Sequence, residues 1–170
     1  GRFDILVYCV DLRDRRTIAQ IKAAEFTNLL QTNTGSCYHL GRSAAARMFP
    51  NKKGRLIFLS SLASLRPFRG DPAYAASKAA MDSLVRSFSY EYGQHGITAN
   101  AIAPGFVMTE TNKKLASEPK IEEFVKTRIP ARRWAQPEEI ANVTLFLASD
   151  AASYINGQVI VADAGLSASL

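Results

Sequence analysis

Residues 54–92 read GRLIFLSSLASLRPFRGDPAYAASKAAMDSLVRSFSYEY, and two periodicities meet in them. Leu56–Leu59, after Gly54, is a continuous apolar run. A strand with one wet face would alternate, so this run predicts a strand covered on both faces. Beyond a loop, the apolar residues fall at 76, 80, 81, 84, 85 and 88, a helical stripe. Asp71 suits the N-cap, Pro72 the first helical position and Gly93 the stop, which predicts a helix over Pro72–Tyr92. A buried strand followed by a crossover-length helix is the repeating unit of a parallel sheet.

The same alternation runs outward in both directions. Ile5–Val10 (ILVYCV), Ile97–Ala103 (ITANAIA) and Val159–Val161 (VIV) read as further strands. Helical spacing runs from about Ala23 to Met48, and Pro137, Glu138 and Glu139 open another helix with the stripe Ile140, Val143, Leu147. Pro119 divides 110–129 into two short helices or a flap. Strands alternating with helices of this length imply one α/β domain, a four-stranded parallel sheet with helices on both faces.

Composition excludes several other classes. The 170 residues are 47% hydrophobic and 21% charged, a globular balance. The net charge of +6 is spread over short clusters such as Arg13, Arg15 and Arg16, which predicts solvated loops and helix ends first, a site for an anionic small molecule second and a nucleic-acid surface last. Cys9 and Cys37 have no partner at metal or redox spacing, and they read as buried thiols of a cytoplasmic protein. His39 and His95 stand alone, so no metal site is expected. No apolar run is long enough to span a bilayer, so no membrane partner is expected.

Chemistry collects at the carboxyl ends of the strands, where open parallel sheets bind ligands. Those ends carry Tyr8–Asp11, Ser60–Ser61 and Pro104–Gly105. The helix that follows the second brings Tyr74 and Lys78, one turn apart and on one face. A Tyr–Lys pair at this spacing arises by chance about 0.3 times in such a chain, so its position carries the argument. A phenol titrates near 10, and a neighbouring ammonium would lower that value. Tyr74 could then give a proton to a carbonyl oxygen or take one from an alcohol. Ser61, 13 residues earlier at a strand end, could hold the same oxygen.

These residues resemble the short-chain dehydrogenase/reductase family over nearly the whole chain. DILV (4–7) is similar to the family's fourth strand. GRLIFLSSLAS (54–64) and YAASK (74–78) are similar to its catalytic core. HGITANAIAPGFVMTE (95–110) resembles the sixth strand with its Pro-Gly turn, and PEEIANVTLFLASDAASYINGQVIVADAG (137–165) resembles the C-terminal signature. The resemblance implies the C-terminal part of a Rossmann-like, doubly wound parallel sheet in three α/β/α layers. It also implies an oxidoreductase that moves hydride between NAD or NADP and an alcohol/ketone substrate. The family roles would fall on Asn33 (a relay water), Ser61 (substrate orientation), Tyr74 (acid–base group) and Lys78 (tuning and the nicotinamide ribose). Pro104, Gly105, Val107 and Thr109 match positions beside the nicotinamide. A homo-dimer or homo-tetramer is the implied assembly. RDRR (13–16) and the 109–124 segment are similar to sugar-acid and polyol members, with 3-oxoacyl-carrier-protein reductases as plausible.

Three departures set further expectations. No glycine-rich phosphate turn occurs, and the chain opens at Gly1 directly before an apolar run, as a chain lacking the N-terminal dinucleotide-binding half would. Strand 5–10 would then be an exposed edge, and the isolated chain poorly stable. Tyr8-Cys9-Val10-Asp11 stands where the family carries Asn-Asn-Ala-Gly, with Asp11 bringing a negative charge toward an anionic cofactor. Ala164 stands at a usual glycine. A catalytically silent assembly partner is therefore the alternative function. Trp134, Arg132 and Arg133 read as packing and surface, Asn33 alternatively as a helix kink, and Thr109 alternatively as a helix cap.

Overall fold

The computed structural model describes residues 2–68 and 70–168. Four parallel strands, β1 (Ile5–Tyr8), β2 (Gly54–Leu59), β3 (Ile97–Pro104) and β4 (Val159–Ala162), lie side by side in chain order. Six helices connect or flank them: α1 (Ala23–Leu30), α2 (Ser36–Met48), α3 (Pro72–Tyr92), α4 (Lys113–Ala116), α5 (Pro119–Arg128) and α6 (Pro137–Ala148).

The continuous apolar run of β2 sorts its side chains by the period of two. Leu56 and Phe58 enter one core with Met48 of α2 and Met81, Val85 and Phe88 of α3. Ile57 enters a second core on the other side, with Ile102 of β3 and Ile140 and Leu147 of α6. The result is the three-layer α/β/α arrangement expected. At β1 the second layer is missing: Tyr8 is 2% exposed, but Ile5 and Val7 on the opposite face are 45% and 41% exposed. Among the described residues β1 pairs only with β2, so it is an edge strand.

Several local expectations change. β1 ends at Tyr8 rather than Val10, because the chain turns away to bring residue 12 to Asn33. The 23–48 helix is interrupted by a π-helical turn, Gln31–Gly35, with Asn33 inside it. Gly93 remains right-handed, and the left-handed stop is Gly96 at φ +70, where a Cβ would run into the Lys52 carbonyl. Asp71 does not cap α3, since its carboxylate is taken by Arg13. Cys37 is buried, as expected, but Cys9 is exposed. Pro119 does divide the 110–129 segment, giving α4 and α5.

Ala164 holds φ at +56, a left-handed conformation that a Cβ disfavours, and its side chain is exposed. Ala164→Gly is therefore expected to stabilise the fold by roughly 0.5–1 kcal/mol, read as a higher thermal midpoint. An unchanged or lower midpoint would show that the turn carries no strain.

Candidate active site

The three strand-end loops converge on one cleft of about 1000 Å³. Ser61, Tyr74, Lys78, Pro104, Gly105, Val107 and Thr109 all line it. A smaller cavity of about 300 Å³ adjoins it, sharing Ser61, Arg13 and Pro104, and its wall is aromatic, with Phe68, Phe106 and Trp134.

Ser61 leaves β2 in extended backbone and begins a short 3-10 turn, Leu62–Ser64, its Oγ accepting from the Ala63 N–H at 3.2 Å. Tyr74 lies in the first turn of α3 and is 5% exposed. Lys78, one turn further, is 1% exposed. Its Nζ donates to the Leu59 carbonyl at 2.8 Å and pairs with the Asp11 carboxylate at 2.9 Å. It lies 5.5 Å from the centre of the Tyr74 ring.

The expectation that Lys78 lowers the Tyr74 phenol is corrected here. Burial pushes the phenol up to about 12, and the Asp11 charge pushes the same way. The Ser61 hydroxyl and the Arg13 guanidinium pull it down by less. The Lys78 ammonium pairs with Asp11, the carboxylate whose charge raises the phenol. Arg13 is the cation in contact with the ring, 4.7 Å above its centre, and Asp71 holds it from below through Nε and Nη2. The phenol is thus a firmly protonated group at neutral pH, suited to giving a proton.

Asn33 is fully buried behind the cleft rather than in its wall. Its Oδ1 accepts from the Leu12 N–H at 2.7 Å, and its Nδ2 donates to the Leu12 carbonyl and to Ser77 Oγ at 2.8 and 3.0 Å. Its carbonyl accepts the Tyr8 hydroxyl at 2.9 Å. Asn33 therefore both kinks the helix and clamps the loop after β1 onto α3. Gly105 packs against Asp163, where a Cβ would come within 2.9 Å of the backbone. Thr109 does not cap the following turn, because its Oγ1 meets Thr111 Oγ1 at 3.0 Å instead.

Sequence reading missed four residues of this site. Arg13 and Arg15, expected first as solvated charge and only second as an anion site, both line the two cavities. Asp71 was assigned to capping. Trp134 does pack against Val125 and Ile129, but its other edge faces the smaller cavity. The one available signal was the run RDRR, two residues after the altered turn.

Residues 1–167 match the family described as enoyl-(acyl carrier protein) reductase. The chain belongs to the short-chain dehydrogenase/reductase family. Gluconate 5-dehydrogenase of Gluconobacter oxydans is 31% identical over all of this chain and 66% of its own length. The 3-oxoacyl-[acyl-carrier-protein] reductase FabG of Rickettsia felis is 36% identical over 97% of this chain and 68% of its own. A gluconate 5-dehydrogenase from Burkholderia cenocepacia, solved with NADP and tartrate, superposes with a TM-score of 0.96 at 29% identity. It matches 100% of this chain, which covers 67% of it. This short-chain dehydrogenase/reductase chain thus spans about two thirds of the length of the relatives it matches. Among its described residues no helix is long and apolar enough to cross a membrane.

Proposed function

We propose that this chain is the catalytic portion of an NAD- or NADP-dependent oxidoreductase that interconverts an alcohol and a ketone on a sugar acid or polyol. The single observation that carries this reading is the Ser61–Tyr74–Arg13 arrangement at one cleft, with a phenol held protonated. Ser61 offers a hydroxyl to the substrate oxygen. Tyr74 supplies the proton that oxygen needs when the carbonyl is reduced, and retrieves it in the reverse direction. Arg15 and Arg13 give the cleft positive charge, which favours an anionic substrate. The gluconate dehydrogenases among the relatives are consistent with such a substrate.

The residues present fit the nicotinamide end of the cofactor. The cleft has the volume, Lys78 and Asp11 present a cation and a carboxylate suited to ribose hydroxyls, and Pro104, Gly105, Val107 and Thr109 form the wall a flat ring would meet. When bound, the cofactor supplies or accepts the hydride. This stretch of chain carries no glycine-rich turn for the phosphates. We read this stretch as one catalytic domain without the N-terminal dinucleotide-binding half, and propose a cytoplasmic homo-dimer or homo-tetramer, the assembly that the family resemblance implies.

One observation favours a second reading. Asp11 ties up Lys78 and adds charge beside an anionic cofactor, as a catalytically silent assembly partner would tolerate. Protein purified from its own source should consume NADH or NADPH in the presence of keto sugar acids. No consumption with any carbonyl in a broad panel, together with no cofactor binding, would favour the silent partner.

A further inference from the structure

A guanidinium is a flat group with five N–H donors. At Arg13 part of that group is already placed. One edge is taken by Asp71: Nε donates to Oδ1 at 3.1 Å, and Nη2 donates to Oδ2. One face lies over the Tyr74 ring, 4.7 Å from its centre. Asp71 is 3% exposed and precedes the first turn of α3, so a buried partner fixes the direction of the guanidinium. The other edge, between Nη1 and Nη2, has no partner among the described residues.

Arg13 lines the smaller cavity together with Ser61, Asp71, Phe106 and Trp134, and it also lines the larger cleft. Its side chain is 31% exposed although one edge and one face are covered. By elimination, what the cavities meet is the opposite face and the free edge, in the same walls as the serine and the phenol. A carboxylate suits such an edge through two parallel N–H···O bonds, and neither donor has to leave a protein partner to make them. The guanidinium is held before a ligand arrives, so little side-chain freedom is lost on binding. The neighbouring arginines differ. Arg16 is engaged by Asp14 and Glu25. Arg15 is exposed and lines the same two cavities. The charges of Arg13 and Asp71 offset each other, so Arg15 supplies the net positive charge and Arg13 supplies the direction.

We propose that the free edge of Arg13 receives the carboxylate of the substrate and that Asp71 orients it. Arg13 then decides the preference for a sugar acid over the uncharged keto sugar or polyol of the same length. Asp71 acts through Arg13 and is a positioning residue. The anchor deepens the proposed reading of this cleft and rests on that reading for the identity of the anion.

The first test reads a ratio: kcat/KM for a keto sugar acid over kcat/KM for the uncharged keto sugar of the same length. Both substrates use the same phenol, so any effect of Arg13 on Tyr74 cancels. Arg13→Gln is expected to lower the ratio about 10- to 100-fold, the range of a charge-assisted contact. Arg13→Lys keeps a cation beside Asp71, which guards against loss of folding, but it lacks the fork and should recover only part of the ratio. Asp71→Asn should lower the ratio less, through KM for the acid. Equal losses with both substrates in Arg13→Gln would mark a purely structural pair and overturn the proposal. A ratio that follows Arg15→Gln and ignores Arg13→Gln would overturn it too. The second test needs no turnover. Gluconate and sorbitol are titrated calorimetrically onto protein of native length with NADPH, a mixture in which every partner is already reduced. Arg13→Gln should weaken gluconate more than sorbitol by a similar factor, and equal weakening would overturn the anchor. That selective loss, found in a protein without dehydrogenase activity, would sink the proposed function and leave the anchor standing.

Discussion

Tyr74→Phe is expected to lower kcat/KM for carbonyl reduction by about 10²–10⁴, the range that a positioned general acid contributes. The ring packs with Ala63 and Ala75, and phenylalanine keeps that packing. The hydroxyl faces the cleft, so the thermal midpoint should move little. A steady-state assay beside a melting curve separates the two effects. A variant that melts normally and retains its rate would remove Tyr74 from the chemistry, and with it the main role assigned to the cleft.

Asp11→Asn is expected to have the next largest effect, and its sign follows from the ion pair. The Asp11 carboxylate raises the Tyr74 phenol directly and also engages the Lys78 ammonium. Removing that charge should lower the phenol from about 12 toward its ordinary value of about 10. Each unit lowered raises the fraction of phenolate at a fixed, mildly alkaline pH about tenfold. Alcohol oxidation, which needs that phenolate as base, should rise by up to that factor per unit. Ketone reduction, which needs the phenol, should stay flat near neutrality and acquire an alkaline limb nearer 10. The paired pH profiles of wild type and Asp11→Asn check both. If oxidation falls instead, Asp11 is itself part of the machinery, for instance by holding a ribose hydroxyl.

The layer order was readable because β2 is apolar on both faces, and only a sheet covered twice over makes that favourable. Tyr74, Lys78 and Ser61 were readable because helix period and strand ends place them at one rim. What escaped the sequence was the use of charge. Nothing in RDRR distinguishes Arg13, which reaches over the Tyr74 ring, from Arg16, which pairs with Asp14 and Glu25 in solvent. Asp71 has the residue type and position of a cap, and only the tertiary approach of Arg13 gives it another partner. The π-turn at Asn33 was hidden for a related reason. Its cost in helix geometry is met by three side-chain hydrogen bonds to Leu12 and Ser77, which come from distant segments.

The most direct test of the central claim follows a label. Protein from its own source is given a keto sugar acid and NADH or NADPH deuterated at C4 of the nicotinamide, on each face in turn. The account predicts deuterium on the new carbinol carbon for one face of the ring, and loss of that transfer in Tyr74→Phe. Product formed without deuterium from either face, or transfer undiminished in Tyr74→Phe, would contradict it.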